Sequence, residues 1–224
     1  MELSQLKDNL EKELYKLFSQ SKSLTLFGPL KFDKNSLHEH KTEGVIFVDG
    51  GLGHSGSLNN LFCNVPSYST GDGDSLQTKV ELDLTFPADK DQSDLSLVLS
   101  AIPSMWQYLE LFGFFGEMQD HFLCNLGEIN HFLNISKSDK QVRLHGDKQT
   151  IFAINNNSIT LKIIGTFSIL SLVENILDIK GDCEYTCNEH YIEYPLSSLG
   201  LSNKGYGDVI IRSKKPIFII TEYE

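Results

Sequence analysis

Long apolar runs are what this sequence most plainly lacks, since none approaches the roughly 20 residues needed to cross a bilayer. Its start, Met1-Glu2-Leu3-Ser4-Gln5, has neither the basic opening nor the apolar stretch of a signal peptide. A cytoplasmic location is the resulting expectation. Positive charge is also scarce: 19 Lys and Arg stand against 30 Asp and Glu, for a net charge of −11. That balance argues against a nucleic-acid surface or an anionic membrane as partner. It still permits a phosphate ligand, because a divalent cation can bridge carboxylates to phosphates. Cys63, Cys124, Cys183 and Cys187 form no CxxC pair, and Cys183-x3-Cys187 has no second pair to complete a zinc set. They read as reduced thiols. The histidines point no more strongly to zinc. His38 and His40 flank Glu39 in a polar stretch, His131 and His145 have no evident partner, and only His121 adjoins a candidate site residue.

What is present is an ordinary globular composition, 40% hydrophobic and 22% charged over 224 residues. That length suits one large domain or two modest ones. Over residues 3–20, Leu3, Leu6, Leu10, Leu14, Leu17 and Phe18 recur at helical spacing and predict a one-sided amphipathic helix. Short apolar runs follow at Leu24–Phe27, Gly44–Val48 and Leu109–Phe112, which read as strands. Between them lie helix-like stretches at Leu58–Cys63, Asp94–Ala101 and Asp120–Phe132. Such alternation predicts a parallel sheet with helices on both faces.

After the polar break Ser136-Lys137-Ser138-Asp139-Lys140 the pattern becomes β-rich. Strands are expected at Gln141–His145, Thr150–Ile154, Ser158–Ile164, Phe167–Leu172, Asn175–Ile179, Val209–Ile211 and Ile217–Thr221. Asn155-Asn156-Asn157 reads as a hairpin turn between two of them. The expected organisation is an α/β domain over 1–138 and an all-β, sandwich-like domain over 139–224.

In an open parallel sheet, ligands bind beyond the carboxyl ends of the strands, where the notable polar residues fall. Asp49 follows the Gly44–Val48 run, and Asp72 and Asp74 sit in Gly71-Asp72-Gly73-Asp74-Ser75. Lys90, Asp91 and Asp94 open the helix of Lys90-Asp91-Gln92-Ser93-Asp94-Leu95. Mg²⁺ takes hard oxygen ligands, one or two carboxylates, and completes its shell with water and phosphate. Asp-x-Asp suits that demand, although glycine and aspartate are also the commonest turn residues. Ser93 or Asp91 can equally cap the helix, with Asp94 favourably placed in its first turn. A Gly-x-Gly-x-x-Gly pattern at Gly51, Gly53 and Gly56, with Asp72 and Asp74 downstream, offers a competing dinucleotide reading. The all-β second half fits no usual substrate domain of that class.

The ordered set of motifs is more specific than any member. Asp49-Gly50-Gly51, Gly71-Asp72-Gly73-Asp74-Ser75, Lys90-Asp91-Gln92-Ser93-Asp94, Asp120-His121 with Asn125, and Ser202-Asn203 resemble the thiamine pyrophosphokinase family. The resemblance runs from about residue 44 to the C-terminus. It implies transfer of the pyrophosphoryl group of ATP to thiamine, giving thiamine diphosphate and AMP, with Mg²⁺ as cofactor and a homodimer as the assembly. It also implies that Asp72, Asp74 and Asp94 face the metal and that Lys90 neutralises phosphate charge. Asp49, Gly50, Gly51, Asp91, Asp120, His121 and Asn125 would support or line the nucleotide site. Ser202 and Asn203 would contact thiamine, with Tyr185, Tyr191 and Tyr194 as candidates for an aromatic wall against its cation.

The departures are specific. The family's Gly-Gly-Arg is Gly116-Glu117-Met118 here, so a phosphate-facing guanidinium is replaced by a thioether. Ser93 stands for threonine, the stretch from Gly51 to Tyr68 is unusual, and the only tryptophan, Trp106, lies in the first domain. Two readings remain open: a divergent active enzyme, or a homologue that binds nucleotide or thiamine without efficient transfer.

Overall fold

The computed structural model describes residues 2–39, 41–75, 81–116, 118–136 and 140–222, except for the side chains of Asn35, His38, Glu39 and Asn59. The chain divides into two compact units, Met1–Glu128 and Ile129–Glu224. The boundary expected near residue 138 falls outside the described residues, as does Glu117.

In the first unit the apolar runs become the strands β1 (Ser23–Phe27), β2 (Gly44–Val48) and β5 (Tyr108–Phe112). Strands β3 (Ser67–Gly71) and β4 (Leu84–Thr85) complete a parallel ladder in the order β5-β1-β2-β3-β4. Continuous apolar strands belong in a sheet covered on both faces. On one face Phe27 stacks on Phe47 and Phe112, each ring centroid 5.6 Å away, with Leu58 and Phe62 of helix α2 (Ser55–Phe62) in the same cluster. Helix α1 (Leu3–Phe18) buries Leu6, Leu10, Leu14 and Phe18 and packs against helix α3 (Asp94–Ala101), which covers β2 and β3.

Strand β3 escaped the sequence reading because Ser67-Tyr68-Ser69-Thr70 is polar. Its hydrogen bonds explain how it can be buried. Ser69 donates both its backbone N–H and its hydroxyl to Asp83 Oδ2, each over 2.8 Å. A polar group so paired escapes most of the cost of leaving water.

The second unit is antiparallel throughout. Its strands are β6 (Gln141–His145), β7 (Gln149–Ile154), β8 (Ser158–Leu170), β9 (Asn175–Cys183), β10 (Cys187–Ile192), β11 (Asn203–Ser213) and β12 (Ile217–Glu222). They run in the order β6-β7-β12-β8-β11-β9-β10. Ile154, Phe167, Leu177, Ile192, Val209 and Ile217 belong to one buried cluster, so strands from across the ladder share a core. That shared core lies along the β7-β12-β8-β11-β9-β10 ladder.

Two expectations need correction. The separate strands over Ser158–Ile164 and Phe167–Leu172 are one strand, β8, which passes through Gly165 at φ +114°. Glycine, free of a Cβ, carries the ladder through a backbone angle that other residues resist. Asn156 does turn, at φ +44°, but β7 and β8 do not form a hairpin. Strand β12 lies between them, pairing Ile217 with Ile154 and Phe218 with Leu170. Strand β10 was also missed, because Cys187–Ile192 exposes most of its side chains.

Candidate functional site

Asp49 begins a 3₁₀ turn over Asp49–His54, directly beyond β2. It is buried and its backbone is left-handed, at φ +51°, a conformation that favours glycine, asparagine and aspartate. The end of β3 presses against it: a Cβ on Gly71 would lie 2.6 Å from the Asp49 Cα. Asp49 Oδ1 accepts the Gly73 N–H over 3.0 Å, which ties the turn to the next loop.

Within that loop Asp72 Oδ1 accepts the Asp74 N–H over 3.2 Å, and Asp74 Oδ1 accepts the Ser75 hydroxyl over 2.9 Å. Asp49, Asp72 and Asp74 can each offer an oxygen within 4.8 Å of the others. Such a trio of hard carboxylate donors fits Mg²⁺.

Lys90 comes from the segment before α3. Its side chain is 4% exposed, with the ammonium 2.6 Å from Asp72 Oδ2 and 3.2 Å from Asp94 Oδ1. Burial alone would lower its pKa, but the Asp72 hydrogen bond and the Asp94 charge hold it above the ordinary lysine value. Burial, the largest single influence, likewise pushes Asp72 up, yet the hydrogen bond and charge of Lys90 and the hydrogen bonds from Asp74 together outweigh it and leave this carboxyl below its usual range. Asp94 shows the opposite balance. Burial, reinforced by the charges of Asp72 and Asp49 and opposed by Lys90, pushes it up to about 6. Ser93 caps α3 by accepting the Ser96 N–H over 3.1 Å, which fixes Asp94 in the first helical turn.

These groups line a cleft of about 460 Å³. Asp49, Asp72, Asp74, Lys90, Asp91, Asp94, His121 and Asn125 all reach it, as does Met118, 43% exposed. Lys90 is the one lysine or arginine among its described lining residues. Asn125 donates to the Phe114 carbonyl over 3.0 Å, so its amide braces the wall. Asp120 is exposed at the start of helix α4 (Gln119–Ile135), accepts the His121 N–H over 2.9 Å, and does not line the cleft. Gly50 and Gly51 act through close packing. A Cβ on Gly51 would meet the Phe27 carbonyl oxygen at 1.9 Å, and one on Gly50 would meet Pro29 and Ser75 at 2.9 Å. Gly53 and Gly56 face open space and are absent from the lining.

Sequence reasoning missed Pro29, Leu30, Gly113 and Phe114, which form the apolar side of the cleft. The strand-end rule could have found them, because they follow β1 and β5 directly. Gly113, at φ +77°, would place a Cβ 2.6 Å from the Gly28 carbonyl oxygen, so the two strand ends meet in close contact.

Ser202 and Asn203 belong to the second unit. Asn203 is buried, and its side chain is committed: Oδ1 accepts Tyr185 N–H over 3.0 Å and Lys204 N–H over 2.8 Å, while Nδ2 donates to the Tyr185 carbonyl over 2.7 Å. It holds the Tyr185 backbone. Ser202 is exposed at φ +56°. Tyr185, Tyr191 and Tyr194 are all exposed, and the Tyr191 hydroxyl donates to Glu174 over 2.9 Å.

No family model and no curated protein sequence matches the chain. Solved structures do. The thiamine pyrophosphokinase of Bacillus subtilis aligns with a TM-score of 0.67 at 21% identity, covering 91% of this chain and 100% of that one. The thiamin pyrophosphokinase of Candida albicans aligns with a TM-score of 0.69 at 15% identity, covering 90% of each chain. The thiamin pyrophosphokinase of Geobacillus thermodenitrificans gives 0.67 at 17% identity, over 90% of this chain and 98% of its own. The chain has the fold of the thiamine pyrophosphokinases.

Proposed function

We propose that this chain is a Mg²⁺-dependent thiamine pyrophosphokinase, moving the pyrophosphoryl group of ATP onto thiamine and releasing AMP. The observation that carries the reading is the buried Lys90 held between Asp72 and Asp94 beside the Asp49–Asp72–Asp74 trio, in a cleft of a fold shared with such enzymes. A bound Mg²⁺ would supply positive charge to the phosphate oxygens as the transferred group separates from AMP. The carboxylates of Asp72 and Asp74 would hold it, with Asp49 and Asp94 alongside. Lys90 keeps Asp72 ionised and oriented and sets a positive charge into the cleft floor. The apolar side made by Leu30 and Phe114 excludes water from the nucleotide. His121 and Asn125 border the same space. The reading brings with it ATP and thiamine as substrates, a homodimer and a cytoplasmic location. It gives the second unit the thiamine contacts, through Ser202 and through tyrosines such as Tyr185, which Asn203 secures.

Met118 favours a second reading, a homologue that binds nucleotide or thiamine in a regulatory role. A guanidinium grips phosphate bidentately, and a thioether cannot. Incubation of the purified protein with ATP, thiamine and Mg²⁺, followed by chromatography of the nucleotides, separates the two. AMP release that needs both thiamine and Mg²⁺ supports the enzyme. Tight thiamine binding with no AMP supports the regulatory homologue, and neither outcome leaves both readings without support.

A further inference from the structure

The apolar side of the cleft comes from two strand ends, Pro29 and Leu30 beyond β1 and Gly113 and Phe114 beyond β5. Pro29 has no N–H to give, so the loop Gly28-Pro29-Leu30 is held through its two neighbours. Toward β5, the Gly28 N–H donates to the Phe112 carbonyl over 2.7 Å and the Leu30 N–H to the Gly113 carbonyl over 3.1 Å. The Leu30 carbonyl is met from the other direction by a side chain, with His54 Nε2 at 3.2 Å. A carbonyl can only accept, so Nε2 carries the proton of this contact. The His54 ring also meets Phe32 edge-on, centroids 4.9 Å apart, and Phe32 packs in turn on Phe27 and Phe112, which end β1 and β5. His54 is half-buried and does not line the cleft, so it works from behind the wall. It closes the 3₁₀ turn that Asp49 begins. One short turn therefore joins the acidic side of the cleft, at Asp49, to the main chain of the apolar side, at Leu30.

We infer that His54 is a positioning residue for the proposed reaction: its Nε2–H holds the Leu30 carbonyl and so sets the apolar wall against which the nucleotide lies. This role rests on the proposed reading of the cleft as a nucleotide site and deepens it by naming what holds one wall. The ring of Pro29 fixes one backbone angle of the loop, and bonds on both the N–H and the carbonyl of Leu30 fix the peptide planes around it. Without the His54 donor the Leu30 carbonyl turns to water, and the side chain in front of it loses its place. A site that is formed for only a fraction of the time binds more weakly by that fraction, so a wall in place about one-fifth of the time lowers affinity about fivefold.

Three substitutions separate the hydrogen bond from the packing. His54→Gln keeps an N–H donor at the reach of Nε2, whereas His54→Phe keeps a ring against Phe32 without the donor. His54→Leu, also without a donor, takes the place of His54→Phe should that variant not fold. Deuterium exchange of the full chain, free of ligand and read by mass spectrometry over residues 28–32, follows the Leu30 amide, which is released when the loop leaves Gly113. The donor-free variant should speed exchange there by about fivefold or more, with the rest of the first unit unchanged, and His54→Gln should stay within about twofold of wild type. Equilibrium dialysis with ATP and Mg²⁺ should give the same order, about fivefold weaker without the donor and recovered in His54→Gln. Wild-type exchange in the donor-free variant overturns the inference, as does His54→Gln behaving like that variant. Faster exchange spread over the whole first unit marks a merely structural residue and overturns it too, as does a loosened loop with unchanged ATP affinity. A wild type that binds no ATP overturns the proposed function instead, and the exchange comparison then decides alone whether His54 holds the wall.

Discussion

Lys90 and Asp72 meet at 2.6 Å through side chains that are 4% and 11% exposed. Eighteen positions apart in sequence, they join the segment that opens α3 to the loop beyond β3. A cation so enclosed cannot be removed without leaving its carboxylates exposed to one another. Breaking one side of a buried pair costs far more than the pair contributes intact.

Lys90→Met should therefore lower the unfolding free energy by about 3 kcal/mol in the absence of divalent cations. Urea unfolding in a chelator measures this. Added Mg²⁺ should recover part of the loss by binding the folded state. An unchanged midpoint in chelator would show that solvent already screens the pair.

Met118→Arg should tighten nucleotide binding. The side chain lines the cleft and is 43% exposed, so the longer residue can enter without repacking the core. One new bidentate phosphate contact is worth about 1.4 kcal/mol, or about tenfold in affinity. Calorimetric titration with ATP and Mg²⁺ checks this, and the melting temperature should remain unchanged.

His54 should make one contribution to the pH dependence of stability just below neutrality. Burial holds its pKa below the ordinary histidine value, and the Lys34 charge adds to the effect, against a hydrogen bond of 3.2 Å involving the Leu30 carbonyl. A histidine depressed in the fold contributes stability that is present above its unfolded pKa, about 6.5, and lost as pH falls through the folded value. The melting temperature of His54→Gln relative to wild type should rise as pH falls below about 6.5, while Asp94, raised to about 6, acts in the opposite sense in both proteins. An identical slope in the variant would assign the acid sensitivity to other groups.

Asn203→Ala should cost about 1 kcal/mol, because it removes the partner of the part-buried Tyr185 and Lys204 backbone groups together. Denaturant unfolding of the variant measures it. Mn²⁺ uptake at the Asp72 cleft should be unaffected, and thiamine affinity should fall with the order of Tyr185.

Sequence pattern made the parallel strands legible wherever burial on both faces forced continuous apolar runs, as at Gly44–Val48. It made α3 legible from its cap and leucines, and it set Asp49, Asp72, Asp74, Lys90 and Asp94 beyond strand ends or at the start of a helix. What it hid follows a physical rule. Strand β3 is buried through Asp83 rather than through apolar side chains, and Phe114 enters the cleft only because Gly28 and Gly113 let two strand ends touch. Spacing along the chain says that carboxylates converge, whereas an ammonium a few ångströms away decides which of them is already paired.

The position of β12 between β7 and β8 has a consequence in time. Residues 149–170 turn at Asn156 as if to pair at once, yet their partner arrives about 60 residues later, so a long loop must close before the ladder can form. Pairing of that kind slows folding, since chain entropy is lost before the contacts that repay it exist. The second unit should be the slow step of refolding. Until Ile217 docks, β7 and β8 present unpaired edges, and the half-built sheet is the species most exposed to aggregation.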